Sequence, residues 1–290
     1  MRIVVTGGSG KLGRAVVADL AAHAHEVWNV DVAPPREALG SGVRFTRVDL
    51  TDFGQVYELV RGIDEGWPTI DGVVHLAAIP GPAQVPNAAL FANNVSGSYN
   101  VFAAARHAGI RNVVWASSET LLGLPFDTPP PYAPVDEEYT VRPETAYSLA
   151  KAVDEEMARH FCRWDPALKM IGLRFSNVME PADYARFPAF DEDPTIRKWN
   201  LWAYIDARDG AQAVRRALEL DATGTEVFII ANADTVMSRS SADLMAEFFP
   251  GVEVRRTLGE HETLLSIDKA RHILGYEPQH SWREEVGRRG

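Results

Sequence analysis

The 290-residue chain holds a single cysteine, Cys162, which excludes an internal disulfide framework and fits a reducing compartment. Its place between Phe161 and Trp164 reads as a buried structural thiol on a helix. Positive charge is also scarce: 29 Lys and Arg face 40 Asp and Glu, a formal net charge of −11. The resulting field repels nucleic acid and anionic membranes, so neither is expected as a partner. A small anionic ligand stays compatible, because a local site can oppose the global sign. No apolar run approaches the roughly 20 residues that a membrane span needs. No basic segment precedes an apolar one at the start, where a strand begins directly, and the reading is a cytoplasmic protein. The sequence has no internal repeat and no low-complexity tail. Its eight histidines lack ligand spacing, so no metal site is expected.

What is present is an ordinary globular composition, 46% hydrophobic and 24% charged. Apolar runs at 3–6, 27–30, 43–48, 72–76, 112–116 and 168–174 have the length of buried strands. Helical spacing appears at 11–22, 53–60 and 87–107, and again from near Pro143 to about 161. Strands alternating with helices predict an α/β fold: a doubly wound parallel sheet covered on both faces, with right-handed connections. After residue 175 the regularity breaks. Residues 178–200 carry several Pro and aromatic residues, then a helix (207–220), a strand (227–231) and two helices (240–249 and near 267–274) follow.

Thr6-Gly7-Gly8-Ser9-Gly10-Lys11-Leu12-Gly13 joins the first strand to the first helix. Glycines at 7, 10 and 13 suit a tight turn, close backbone approach to a pyrophosphate, and close packing of helix on strand. The helix N-terminus then offers free N–H groups to phosphates. An apolar strand before the loop and an amphipathic helix after it are the context that gives this glycine pattern its meaning. Asp31 ends the second strand about 20 residues on, where an acid binds a ribose diol. It repels a 2′-phosphate, favouring NAD, while Arg36 nearby leaves NADP open.

Tyr147 and Lys151 stand one helical turn apart on one face. A phenol with a pKa near 10 is a poor base at neutral pH, and a neighbouring cation favours the phenolate. Alone, such a pair is commonplace on an amphipathic helix. Together with the glycine loop and Ser117-Ser118 at the end of the fifth strand, it resembles the short-chain dehydrogenases. The resemblance extends to the NAD-dependent epimerase/dehydratase (extended) subfamily over nearly the whole chain. Val48-Asp49-Leu50-Thr51-Asp52, His75-Leu76-Ala77-Ala78, Asn93-Asn94-Val95-Ser96-Gly97 and Leu173-Arg174-Phe175-Ser176-Asn177-Val178 each look like one of its motifs, as do Tyr204-Ile205-Asp206-Ala207-Arg208-Asp209 and Ser266-Ile267-Asp268-Lys269-Ala270. It implies a Rossmann domain over 1–175 and a small, mostly C-terminal substrate-binding region over 176–290, with 207–231 returning to the sheet. It implies Ser118, Tyr147 and Lys151 as catalytic residues. The implied dinucleotide-binding residues are Gly7, Gly10, Lys11, Leu12, Gly13, Asp31, Asp49, Leu50, Leu76, Ala77, Ala78 and Asn93, with Tyr147 and Lys151.

The departures narrow the chemistry. Where the family's sugar dehydratases carry Asp-Glu after the active hydroxyl, this chain has Glu119-Thr120. One carboxylate does not supply both the acid and the base of an elimination. Glu119 is left either as a hydrogen-bonding partner of a substrate hydroxyl or as a solvated loop acid. Leu122-Gly123 and Met179-Glu180-Pro181 stand where Tyr-Gly and Tyr-Gly-Pro are usual. Residues 176–186 look like the uronate dehydrogenases, which implies Ser176, Asn177 and Arg186 on the substrate side, Arg186 gripping a carboxylate or else balancing Asp183 at the surface. The expectation is a dehydrogenase of a small polyhydroxylated sugar or sugar acid. An epimerase using transient oxidation and a non-catalytic dinucleotide sensor are the alternatives. Helices 87–107 and 143–161 are expected to pair in a homodimer. Glu137-Glu138 and Asp154-Glu155-Glu156 read as solvated faces, and Trp199 and Trp202 as core or lid packing, with lining of the substrate pocket as the alternative.

Overall fold

A computed structural model describes residues 1–36, 38–62 and 69–287. In chain order the first half runs β1 (Arg2–Thr6), α1 (Lys11–Ala22), β2 (Glu26–Asp31), β3 (Val43–Arg47), α2 (Phe53–Val60), β4 (Gly72–His75), α3 (Asn87–His107) and β5 (Asn112–Ser118). It continues through β6 (Tyr132–Ala133), α4 (Ala146–Trp164) and β7 (Lys169–Phe175). The second half adds β8 (Val178–Met179), α5 (Pro188–Glu192), α6 (Thr195–Lys198), β9 (Ile205–Asp206), α7 (Ala207–Glu219), β10 (Gly224–Ile230), α8 (Ser241–Phe248), β11 (Glu253–Val254) and α9 (Trp282–Gly287).

Seven strands form one parallel sheet in the order β10-β7-β5-β4-β1-β2-β3. Successive residues of a strand point to opposite faces, so the central strands feed two cores. Ile3, Val5, Val74 and Val114 join the core that α1, α7 and the C-terminal region cover. Val4, Val73, Val113 and Trp115 join the core on the face of α2, α3 and α4. This doubly wound α/β arrangement is the expected Rossmann-like fold. Strand order reverses between β1 and β4, and ligands of open α/β sheets bind in the crevice outside the carboxyl ends at such a point.

Several local expectations change. The fourth long helix starts at Ala146 rather than near Pro143, because Thr145 is extended and its side chain accepts from Ser148 N as the cap. The expected helix at 267–274 is a π-helical turn over Ala270–Leu274, closed by Gly275 at φ +65°. The Pro-rich loop hides β6, which pairs with β11. Trp282 on α9 lies at 7% exposure, its Nε1 donating to Thr235 O, so a short C-terminal helix is part of the core. Among the described residues no helix is long and apolar enough to cross a membrane.

Candidate active site

A cavity of about 1080 Å³ opens at the switch point. Its floor is the glycine loop. Gly7 has φ +72°, and a Cβ there would sit 2.6 Å from Ala77 N in the turn after β4. A Cβ on Gly13 would sit 2.0 Å from Gly7 O, so α1 approaches the loop closely only because both positions are glycine. The α1 N-terminus faces this cradle with Gly10 as cap, which is the anion-binding geometry a pyrophosphate requires. Asp31 at the lip of the cavity accepts from Ser9 N (3.1 Å) and Ala33 N (3.1 Å), which orients its carboxylate. Lys11 Nζ meets Asp183 Oδ2 at 2.6 Å and Arg14 meets Glu180 at 2.7 Å, tying α1 to the segment after β8.

On the opposite wall β5 and α4 bring Ser118, Tyr147 and Lys151 into the same cavity. Lys151 is 3% exposed and donates to Ala116 O at 2.7 Å, so the sheet itself aims its ammonium. Ser118 Oγ accepts from Thr120 Oγ1 at 3.0 Å. Asp49, Leu50, Leu76, Ala77, Ala78, Asn93, Ser176 and Asn177 line the cavity too, with Leu12 and Gly10 of the loop.

Arg186 does not. It lies exposed on the 3-10 turn Asp183–Arg186, outside the cavity lining. Tyr184 takes the inward position of that turn and donates to Asp206, which turns Arg186 outward. In this arrangement Arg186 stands near Asp183 and helps hold its carboxyl down, as in the second of the two placements expected from the sequence.

The acidic run on α4 also differs from expectation. Asp154 and Glu155 are buried at 0% and 7% exposure, and only Glu156 is solvated. Glu155 binds Arg174 of β7 through two contacts of 2.8 Å and accepts from Ser117 Oγ at 2.7 Å, pinning α4 to β5 and β7. Asp154 lies 3.5 Å from Lys151, and burial pushes its carboxyl up to about 6 while Lys151 pulls it the other way. Glu137 is half-buried and accepts from Ile229 N at 2.7 Å. Glu155→Ala leaves Arg174 charged and unpaired in the core, so a loss of about 3–5 kcal/mol is expected. A lowered urea midpoint checks it, and an unchanged midpoint would remove the pair from the fold's supports.

Other contributors carry little sequence signal. Asn94 is 4% exposed and clasps the turn after β4, accepting from Ile79 N at 2.8 Å and donating to Ile79 O at 3.2 Å. The sequence signal for it is its place in the Asn93–Gly97 motif. Trp199 lines the cavity, whereas Trp202 is fully buried against Phe248 and Phe249. His75, between Thr6 Oγ1 (2.7 Å) and Ser98 Oγ (3.2 Å), is held neutral, burial lowering its pKa to about 3. Among the described residues no group of His, Cys, Asp and Glu has the arrangement of a metal site.

The sequence pattern of the NAD dependent epimerase/dehydratase family matches residues 3–231. The chain belongs to that family. Among relatives of this epimerase/dehydratase, the uronate dehydrogenase of Pseudomonas syringae pv. tomato is 25% identical over 237 residues, covering 81% of this chain and 76% of that protein. The L-arabinose 1-dehydrogenase (NAD(P)(+)) of Haloferax volcanii is 27% identical over 248 residues, covering 82% and 91%. The crystal structure of a UDP-galactose 4-epimerase superposes with a TM-score of 0.70 at 28% identity, over 99% of this chain and 96% of that one. The protein is thus an NAD-dependent enzyme of the dehydrogenase or epimerase kind, and its glycine cradle fits the dinucleotide.

Proposed function

We propose that this epimerase/dehydratase relative is a dehydrogenase that oxidises a hydroxyl of a small polyhydroxylated substrate, a sugar or sugar-acid-like molecule. The observation that carries it is the convergence of Ser118, Tyr147 and Lys151 on the cavity that the glycine loop floors. NAD, when bound, supplies the acceptor for the hydride leaving the carbinol carbon. Tyr147 takes the hydroxyl proton, so the alcohol becomes a carbonyl and one proton is released. Ser118 Oγ hydrogen-bonds the reacting oxygen and holds it near the phenol. Lys151, buried one turn along α4 and held by Ala116 O, reaches the nicotinamide ribose. Asp31 binds the adenosine ribose diol and favours NAD over NADP. Gly7, Gly10, Lys11, Leu12 and Gly13 hold the pyrophosphate, while Asp49, Leu50, Leu76, Ala77, Ala78 and Asn93 contact the rest of the dinucleotide.

Absorbance at 340 nm tests this with purified enzyme, NAD or NADP, and a panel of aldoses, polyols and uronates. Sugar-dependent NADH accumulation is the expected result. The extensive match to a UDP-galactose 4-epimerase favours a second reading, transient oxidation and re-reduction of a nucleotide-linked sugar. An inverted UDP-sugar without NADH accumulation would establish that reading instead.

The division into a dinucleotide domain (1–175) and a substrate region (176–290, with 207–231 returning to the sheet) belongs to the same proposal, as does a cytoplasmic location. A homodimer through α3 and α4 completes it. Tyr99, Leu149 and Trp164 are about half exposed, and Tyr99, Met157, His160 and Trp164 line a shallow apolar groove between the two helices. Light scattering at micromolar concentration is expected to give twice the 32.0 kDa chain mass. A monomer mass would refute the pairing.

A further inference from the structure

Glu119 follows Ser118 directly and lines the same cavity, yet it is 3% exposed. Its Oε2 accepts from Ser176 Oγ at 2.6 Å and its Oε1 from Asn200 Nδ2 at 3.1 Å. The nearby backbone N–H of Asn177 also favours the ionised carboxylate. An ionised carboxylate has about four acceptor positions, so capacity remains for a donor arriving from the cavity.

Behind this carboxylate sits Arg197, 5% exposed and outside the cavity lining. Its guanidinium is committed to Ala203 O (2.7 Å), Asn177 Oδ1 (3.0 Å) and Asn200 Oδ1 (3.4 Å). Asn200 therefore bridges the two charges, accepting from Arg197 and donating to Glu119. The arginine offsets the cost of burying the acid from the far side, while a ligand meets the carboxylate first. Because Asn177 Oδ1 is taken by Arg197, its amide N–H group is the part left for a ligand.

Among the described residues that line the cavity, the cations are Lys11, at the phosphate loop, and Lys151, beneath Tyr147. No arginine is among them. On the cavity wall itself a carboxylate or a nucleotide diphosphate of the substrate meets no planar, bidentate partner of the kind that usually binds such groups, and it faces Glu119 at short range.

We propose that Glu119 is a specificity-determining residue that accepts a hydrogen bond from a substrate hydroxyl and rejects anions, so that the substrate is an uncharged aldose or polyol rather than a uronate or nucleotide sugar. This rests on the dehydrogenase reading above. Burial pushes the Glu119 carboxyl up to about 7, against the opposing pull of Ser176 and Asn200. The assay therefore belongs near pH 8.5, where the acid is ionised.

The test is a matched-pair assay of NADH formation: D-galactose against D-galacturonate and D-glucose against D-glucuronate, which share ring stereochemistry and differ at C6, with L-arabinose and UDP-glucose added. The wild type is expected to favour the neutral member by at least about tenfold in kcat/KM, a penalty typical of like charges brought together at low dielectric. Glu119→Gln keeps the shape and an acceptor but not the charge. It is expected to shrink that preference by about tenfold, chiefly by lowering KM for the uronates, with NADH binding by fluorescence unchanged as the folding control. A wild type that prefers uronates overturns the assignment and leaves the dehydrogenase reading standing. So does a Glu119→Gln variant that binds NADH with the neutral-to-anion ratio unmoved. No NADH from any member, in enzyme that still binds NADH, overturns the dehydrogenase reading and this inference with it.

Discussion

Replacing Tyr147 with Phe is expected to lower sugar-dependent NADH formation by about 10²–10⁴-fold, the usual contribution of a positioned acid or base, while NADH still binds. The substitution removes one oxygen from a half-buried side chain on α4 and leaves the helix intact. The Thr145–Ser148 capping box and the Glu155–Arg174 pair hold α4 on the sheet independently of that oxygen. A large loss therefore reports chemistry rather than unfolding. Single-turnover rates with NADH fluorescence titration separate the two. If the rate barely changes, the hydroxyl proton leaves by another route, and Glu119, the other ionisable group beside Ser118, becomes the candidate.

Gly13→Ala is expected to act on the cofactor instead. The added methyl would meet Gly7 O at 2.0 Å and Gly8 Cα at 2.6 Å, both backbone atoms that cannot rotate away. Either α1 shifts outward or the loop between β1 and α1 opens. Both displace the N–H groups that face the pyrophosphate, and overpacking of this kind costs about 1–3 kcal/mol or more. NADH affinity is expected to fall by about tenfold to a hundredfold, a loss of about 1.4 kcal/mol being tenfold, together with a lower melting temperature. Gly40→Ala is the contrast, since its Cβ would meet nothing within 4 Å. Equal NADH affinity in Gly13→Ala and wild type would remove the glycine cradle from cofactor binding.

The placement of Gly13, Tyr147 and Lys151 is legible in the sequence because it is set locally. The glycine spacing needs only the turn from β1 into α1, and the Tyr/Lys pair needs only one turn of helix. Strand and helix alternation likewise announced the parallel sheet, since each buried strand is a short apolar run whose period does not depend on distant residues. The late strand β10 was visible too, although its neighbour β7, which it pairs in register from Gly224 with Lys169 to Ile230 with Phe175, lies some 55 residues earlier.

The acids were the part that sequence misjudged. Asp154, Glu155 and Glu156 look alike as a run, yet Glu155 is buried because Arg174 and Ser117 arrive from β7 and β5, and Asp154 because Lys151 turns inward beside it. The spacing of Arg186 after Glu180-Pro181 leaves two placements open, and the short turn that carries it buries Tyr184 and leaves Arg186 exposed near Asp183. Glu119 stayed open between solvated acid and ligand contact. Ser176, Asn200 and Arg197, from 57 to 81 residues away in sequence, made it a buried carboxylate in the cavity wall. The sheet, the glycine cradle and the placing of Tyr147 and Lys151 one turn apart on a helix all follow from the pattern of neighbouring residues. Tertiary structure alone decided which charges are dry, what pairs them, and which reach the cavity, because the cost of burying a charge depends on partners that only folding brings within hydrogen-bonding distance.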